Sequence, residues 1–254
     1  MPVVNINNVF LNYHSLEGET LALNDINLSV EKGQFIAIVG PSGCGKSTLL
    51  SLIAGLLMPS SGEIKVMDQL VTKPQTTTGY MLQRDHLFSW RTIWQNVILG
   101  LEVRNQLTEE NIAYVEKLLN DYGLARFKNH YPNQLSGGMR QKVALIRTLA
   151  LEPELLLLDE PFSALDYQTR LSLGDEISEI IRNENKTAIL VTHDISEAIS
   201  MADQVIIFSS RPARIKQIVD ISLTQKKPLE RRNEVGFKDY FDTIWKEIDV
   251  YEHQ

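Results

Sequence analysis

Gly40-Pro41-Ser42-Gly43-Cys44-Gly45-Lys46-Ser47 spells G-x-x-x-x-G-K-[ST], a pattern whose chemistry is the holding of a phosphate chain. Its glycines let the backbone curl so that N–H groups point inward at a β-phosphate. The helical stretch that follows, Thr48 to Ile53, adds a positive N-terminal end. Lys46 is placed to reach β- and γ-phosphate oxygens, and Ser47 to ligate magnesium. A nucleotide site also needs an acid for the metal and a base for water. Leu155-Leu156-Leu157-Leu158-Asp159-Glu160-Pro161 offers both: Asp159 to hold magnesium, typically through water, and Glu160 to polarise the attacking water. His193, just past another apolar run, is a third polar group suited to a γ-phosphate. Taken singly, the two acids read as a solvated strand cap and the histidine as structural; the phosphate loop gives them a shared purpose. Cys44 lies inside the loop beside Lys46 and a helix N-terminus. It is expected either to lean towards thiolate, so that a thiol reagent blocks nucleotide, or to be there only as a small residue that fits.

The elements that must position these groups are legible as two kinds of apolar pattern. Phe35-Ile36-Ala37-Ile38-Val39, Leu155 to Leu158, and Ala188-Ile189-Leu190-Val191 are apolar without alternation, as strands buried on both faces must be. They predict a parallel sheet covered by helices, with polar groups at the carboxyl ends of its strands, where open α/β sheets bind ligands. The first thirty residues differ. Val3 to Val9 is β-rich, and Leu21, Leu23, Leu28 and Val30 alternate with polar neighbours, which predicts an antiparallel edge element. Roughly Arg84 to Gln134 reads as helical: Thr108 is a good N-cap, Glu109 and Glu110 suit the positive end of a helix dipole, Ile112, Val115, Leu119 and Tyr122 mark one face, and Gly123 can end it. This segment is either an inserted helical subdomain or an ordinary crossover helix. After Ser209, apolar strands give way to mixed charge, including Lys226, Lys227, Arg231 and Arg232.

Composition narrows the classes. A chain of 254 residues with 43% hydrophobic composition can bury a substantial core, as one main domain with a subdomain or insertion. No apolar run approaches the roughly 20 residues that a membrane-crossing helix needs. The opening MPVVNINNVF has neither the basic start nor the apolar stretch of a secretory signal, and the lone Cys44 cannot form an internal disulfide, so a reducing cytoplasm is expected. A formal charge of −7 argues against broad binding to nucleic acid or anionic lipid. Any membrane attachment is then expected to run through another protein.

Leu135-Ser136-Gly137-Gly138-Met139-Arg140-Gln141, shortly before the Asp159 strand, resembles the signature sequence of the ATP-binding cassette (ABC) family. Read alone, Ser136 is a helix N-cap; read as a signature, Ser136 and the N–H groups around Gly137 and Gly138 form a second anion site able to grip a γ-phosphate. The resemblance extends over nearly the whole chain, strictly from Gly33 to His193 and loosely after Ser209. It implies that Tyr13 stacks on adenine, the alternative for a tyrosine there being plain packing. It implies that Gln83 links magnesium and nucleotide to the helical subdomain, that Ser163-Ala164-Leu165-Asp166 is the loop that speaks across a dimer with Asp166 its acid, and that His193 is the switch histidine. The implied site is therefore catalytic at Glu160, His193 and Gln83. ATP is bound by Tyr13, Gly40 to Thr48, Ser136, Gly137, Gly138 and Asp166, and magnesium by Ser47, Gln83 and Asp159. The implied fold is α/β: a P-loop NTPase-type parallel sheet with an antiparallel β-subdomain and an inserted α-helical subdomain. The ATPase domain is expected over 1–209, with its helical part about 84–150, and a short C-terminal extension over 210–254.

In this family the signature of one protomer faces the phosphate loop of the other, so two ATP molecules are expected between the halves of a homodimer. A free single cassette favours the ATP-hydrolysing subunit of an importer at the cytoplasmic face of the membrane, with two integral-membrane permease subunits and, indirectly, a solute-binding protein. No long coiled coil separates Lys46 from Asp159, as it does in chromosome-maintenance relatives; a soluble ABC-type ATPase without a permease is the alternative. Met81-Leu82-Gln83-Arg84-Asp85-His86-Leu87-Phe88-Ser89-Trp90-Arg91-Thr92, His130 to Gln134, and Ser210-Arg211-Pro212-Ala213-Arg214 look like segments of the nitrate, sulfonate and taurine importer group. Nitrate, an alkanesulfonate, taurine, bicarbonate and a pyrimidine precursor of thiamine all stand open as solutes. Trp90 is expected to face the permease, the alternative being the core.

Overall fold

The computed structural model describes residues 2–15, 18–225 and 227–249; Lys226 and the end of the expected 210–254 extension, from 250 on, lie outside them. In chain order the elements are β1 (Pro2–Ser15), β2 (Gly18–Glu31), β3 (Phe35–Val39), α1 (Lys46–Ile53), β4 (Ser61–Val66), β5 (Gln69–Leu70) and β6 (Thr78–Met81). Then come α2 (Ile93–Val97), α3 (Leu99–Val103), α4 (Glu109–Asp121), α5 (Gly137–Leu149), β7 (Leu155–Asp159), α6 (Tyr167–Asn183), β8 (Thr187–Val191) and α7 (Ile195–Met201). Last are β9 (Gln204–Phe208), β10 (Ile215–Asp220), α8 (Pro228–Arg231) and α9 (Phe237–Asp249).

The three unalternating runs are β3, β7 and β8, and every residue in them is buried. They belong to a six-stranded sheet of order β10-β9-β3-β8-β7-β6, parallel except for β10 at its edge. Successive side chains of a strand point to opposite faces, so this sheet feeds two cores. Ala37, Val39, Leu156, Leu158 and Leu190 face one, filled by helices. Ile36, Ile38, Leu155, Leu157 and Ile189 face the other, closed by α1 and a four-stranded antiparallel sheet of order β2-β1-β4-β5. That second sheet is the expected edge element. Its alternation holds at Ile26, Leu28 and Val30, all buried, but slips near Asp25, whose φ of 54° marks a bulge opposite an irregular stretch of β1.

Between β6 and β7 lie only helices and turns. Arg84 to Arg91 is irregular, and the first helix begins at Ile93, where Thr92 and Gln95 form a capping box. Thr108 caps α4 by accepting from the Asn111 N–H, Glu109 and Glu110 occupy its first turn, and Gly123 takes a φ of 71° just past its end. The buried Ile93, Val97, Val115 and Leu118 join the same core as the helix-covered face of the large sheet. The fold is thus α/β, with the antiparallel layer and the helical insertion on either side of the parallel sheet.

Candidate functional site

The loop between β3 and α1 owes its path to glycine. A Cβ on Gly45, at φ 129°, would stand 2.9 Å from a Leu23 methyl, and one on Gly40 would stand 2.9 Å from the Phe208 carbonyl, so neither position has room for a side chain. Lys46 is 5% exposed and its Nζ donates to the Gly40 and Pro41 carbonyls, both at 2.8 Å. These backbone acceptors hold the ammonium at the loop's mouth, where phosphate oxygens can replace them.

β7 delivers Asp159 to the same place. Its Oδ1 accepts from Ser47 Oγ at 2.8 Å and its Oδ2 from the Tyr80 hydroxyl at 3.2 Å. Burial pushes its carboxyl above the usual aspartate range, while the Ser47 and Tyr80 hydrogen bonds pull the other way. Tyr80 itself is pushed up to about 12, first by burial and then by Asp159, so it remains a donor. Glu160 follows with a φ of 44°, left-handed for a residue that has a Cβ, and its N–H is tied to the Val191 carbonyl at 2.9 Å. The turn aims its carboxylate outward. There Oε2 accepts from Gln83 Nε2 at 3.2 Å and meets His193 Nδ1 at 3.2 Å. Tyr13, 41% exposed, shares a 3.2 Å hydrogen bond with Thr48 Oγ1, which sets it beside the start of α1 rather than in the core.

Gly40, Pro41, Ser42, Gly43 and Gly45 to Thr48 line a cleft of about 560 Å³ together with Glu160 and His193. Ser136, Gly137, Gly138 and Asp166 do not line it. Ser136 caps α5 by accepting from the Met139 N–H, and Asp166 caps α6 by accepting from the Thr169 N–H. The two helix starts abut: a Cβ on Gly137 would stand 3.0 Å from a Leu165 methyl, and one on Gly138 2.9 Å from the Thr169 methyl. The sequence-predicted residues therefore fall into two groups, one at the phosphate loop and one at the paired starts of α5 and α6.

One expectation is corrected. Cys44 is 2% exposed among the apolar side chains beneath the loop, and burial pushes its thiol up from the ordinary value against the weaker opposing pull of Lys46. The lysine and helix end do not make it a thiolate, because desolvation of the charged sulfur outweighs them. Trp90 is 72% exposed and stacks on Phe88 with centroids 4.9 Å apart, so it is not a core residue. Sequence reasoning missed Tyr80, whose sign would have been a tyrosine on the strand beside β7. It also missed Arg211, Trp245 and Ile248, which line the cleft from far along the chain. Among the described residues no helix is long and apolar enough to cross a membrane.

The family model described as ABC transporter matches residues 23–163. An uncharacterized ABC transporter ATP-binding protein of Bacillus subtilis (strain 168), YtlC, is 48% identical over 256 residues, covering 100% of this chain and 98% of its own. The nitrate import ATP-binding protein NrtD of Synechocystis is 39% identical over 250 residues, 96% of this chain and 93% of the relative. The taurine import ATP-binding protein TauB of Yersinia pestis is 41% identical over 205 residues, 81% of this chain and 80% of the relative. A solved dimeric structure of the ATP-binding cassette MJ0796 in a post-hydrolysis state, bound to ADP and Pi, superposes with a TM-score of 0.72 at 30% identity, covering 86% of this chain and 98% of that one. With a phosphate loop, an acid pair at a neighbouring strand end and relatives that match along its whole length, the chain belongs to the ABC transporter family, as an ATP-binding, ATP-hydrolysing subunit.

Proposed function

We propose that this subunit energises an importer for a small solute, an anion of the nitrate, sulfonate or taurine type, working as a homodimer at the cytoplasmic face of the membrane on two permease subunits supplied by a separate solute-binding protein. The observation that carries the working unit is the division of the site: the phosphate loop, Glu160 and His193 line one cleft, with Asp159 bonded to its Ser47, while Ser136 and Asp166 stand apart at the starts of α5 and α6. A second copy whose Ser136 face meets this cleft completes an anion site that one chain holds only in halves. The nitrate and taurine import functions of two relatives support the solute class.

Within the cleft, ATP draws Lys46 Nζ off the Gly40 and Pro41 carbonyls onto β- and γ-phosphate oxygens, and Tyr13 stacks on the adenine. The Ser47 hydroxyl and Asp159 carboxylate already lie side by side, and both are hard oxygen donors of the kind magnesium takes together with substrate phosphates. A magnesium ion held there by Ser47 and, through water, by Asp159, with Gln83 reporting its presence to the helical insertion, would neutralise phosphate charge. Glu160 accepts a proton from the attacking water as the bond between the γ-phosphorus and the ADP oxygen breaks. His193, in contact with Glu160 at 3.2 Å, orients that carboxylate and meets the γ-phosphate. From the partner, Ser136 and the N–H groups of Gly137 and Gly138 hold the γ-phosphate, and Asp166 answers across the interface.

The test is copurification of the tagged chain with a multi-span permease, followed by uptake of labelled nitrate, taurine and an alkanesulfonate by cells with and without its gene. Uptake of one of these that depends on the gene supports the proposal. A chain that hydrolyses ATP but retains no permease would instead be a free ATPase.

A further inference from the structure

The phosphate cleft has a wall that the family motifs do not supply. α9 is held to the body by its fully buried Ile244, by the Tyr240 hydroxyl accepting from the Ser222 N–H at 3.1 Å, and by Glu247, whose carboxylate pairs with Lys216 at 2.7 Å. The adjoining stripe of the helix brings Trp245 and Ile248, the latter also packed on the core, to the cleft that contains Lys46, Glu160 and His193. Trp245 is 52% exposed, and its one ring neighbour among the described residues is Phe241, near-parallel with centroids 6.0 Å apart. Beside it, from the turn between β9 and β10, Arg211 enters the same cleft and donates from Nη2 to the Gly43 carbonyl at 2.9 Å.

Physical chemistry gives this wall a purpose. A half-exposed indole keeps apolar area in water, and its N–H is a donor with no acceptor function, suited to an oxygen-rich ligand. Glu160 lines the cleft and Asp159 bonds its lining residue Ser47, so a polyanionic ligand there gains from a cation beyond Lys46, and Arg211 is within the same walls. An apolar cover over the phosphates also lowers the local dielectric and strengthens every such contact.

We propose that the C-terminal segment is part of the nucleotide site: bound ATP is contacted by Trp245 on α9, and Arg211 shifts from the Gly43 carbonyl to the phosphate chain. ATP occupancy then sets the position of α9 and becomes readable at the far end of the chain. The inference rests on nucleotide occupying this cleft, and the experiment separates the two.

The full-length chain is titrated with Mg-ATP while tryptophan emission, acrylamide quenching and calorimetric heat are followed in parallel. The expected result is an emission change and reduced quenching that saturate with the calorimetric binding curve. Both are lost in Trp245→Phe, at ATP concentrations that saturate that variant's own calorimetric curve, and retained in Trp90→Phe. Trp245→Ala is expected to weaken ATP about 5-fold by loss of the aromatic contact, and Arg211→Gln about 5-fold by loss of a charge-assisted bond. Calorimetric binding with no change at Trp245, or a change that survives in Trp245→Phe, overturns the proposal. Absence of calorimetric binding in the parent chain would sink the nucleotide assignment of the cleft, and the inference with it.

Discussion

At the scale of single residues, position in the fold decides what each group near the phosphate loop can do. Glu160 combines a left-handed backbone with two side-chain neighbours, Gln83 and His193, and its carboxylate is the group proposed to take a proton from water. Glu160→Gln keeps the shape and one acceptor oxygen, so ATP binding should persist while hydrolysis falls by about 10²–10⁴-fold. Gel filtration with magnesium and ATP should then show dimer accumulating; normal turnover would remove Glu160 from the role of base. Cys44, two residues from Lys46, shows the opposite lesson. With its sulfur buried and its thiol pushed up, a disulfide reagent at pH 8 should modify it in the folded chain on the order of 100-fold more slowly than in urea. Equal rates would mean that the loop exposes the sulfur. The sequence placed Cys44 beside a cation and a helix end correctly, yet it held no sign of the apolar layer beneath, which is assembled from strands far away in the chain.

Elements carry the next layer of meaning. The strands β3, β7 and β8 were legible because a strand buried on both faces cannot hide its composition, and the caps of α4 and α5 were legible because capping is local chemistry. What was not legible depends on distant partners: Tyr80 meets Asp159 only because β6 pairs with β7, and α9 reaches the cleft only through packing on the body. Trp90 belongs to an exposed stretch whose neighbours are an aromatic stack rather than core, so Trp90→Ala should leave nucleotide binding and Tm of the isolated subunit unchanged while reducing solute uptake. Loss of folding would contradict an exposed docking role. At the start of α7, Glu197 is buried, is pushed up to about 7 chiefly by desolvation, and is hydrogen-bonded to Thr192, next to His193. Asp194 adds to the rise, and Arg170 and Arg232 oppose it. Its folded pKa lies above its unfolded one, so the folded state favours the protonated form. That contribution to stability is complete below about pH 4.5 and is lost as pH rises through about 7. Glu197→Gln has no proton to lose. It should therefore raise Tm relative to the parent by about 2 °C more at pH 8 than at pH 5, in a thermal melt at both values; a gain independent of pH would place the ionisation elsewhere.

For the whole molecule, the separation of the phosphate cleft from the paired starts of α5 and α6 makes a prediction that no single-chain site can share. Lys46→Ala removes the ammonium that serves the phosphates, and Ser136→Arg fills the opposing anion pocket with a bulky side chain. Either homodimer should be inactive, since every composite site in it contains a lesion. In a mixed dimer, one site combines both lesions, whereas the other joins the intact loop of the Ser136→Arg chain to the intact signature of the Lys46→Ala chain. If each chain instead held a complete site of its own, every chain in the mixture would be defective and mixing would restore nothing. Differently tagged heterodimers, purified through both tags within the transporter, should therefore bind and hydrolyse ATP above either homodimer. The ceiling is one site per dimer, so recovery to about half the parental rate is the expected upper bound if the two sites fire independently, and less if each waits on the other. A covalently linked dimer carrying a single Lys46→Ala lesion sets the scale, because it measures what one intact site can sustain. Activity in that control with none in the mixed dimer would show that phosphate loop and signature do not meet across the interface, and would return Ser136 to the plain role of a helix cap.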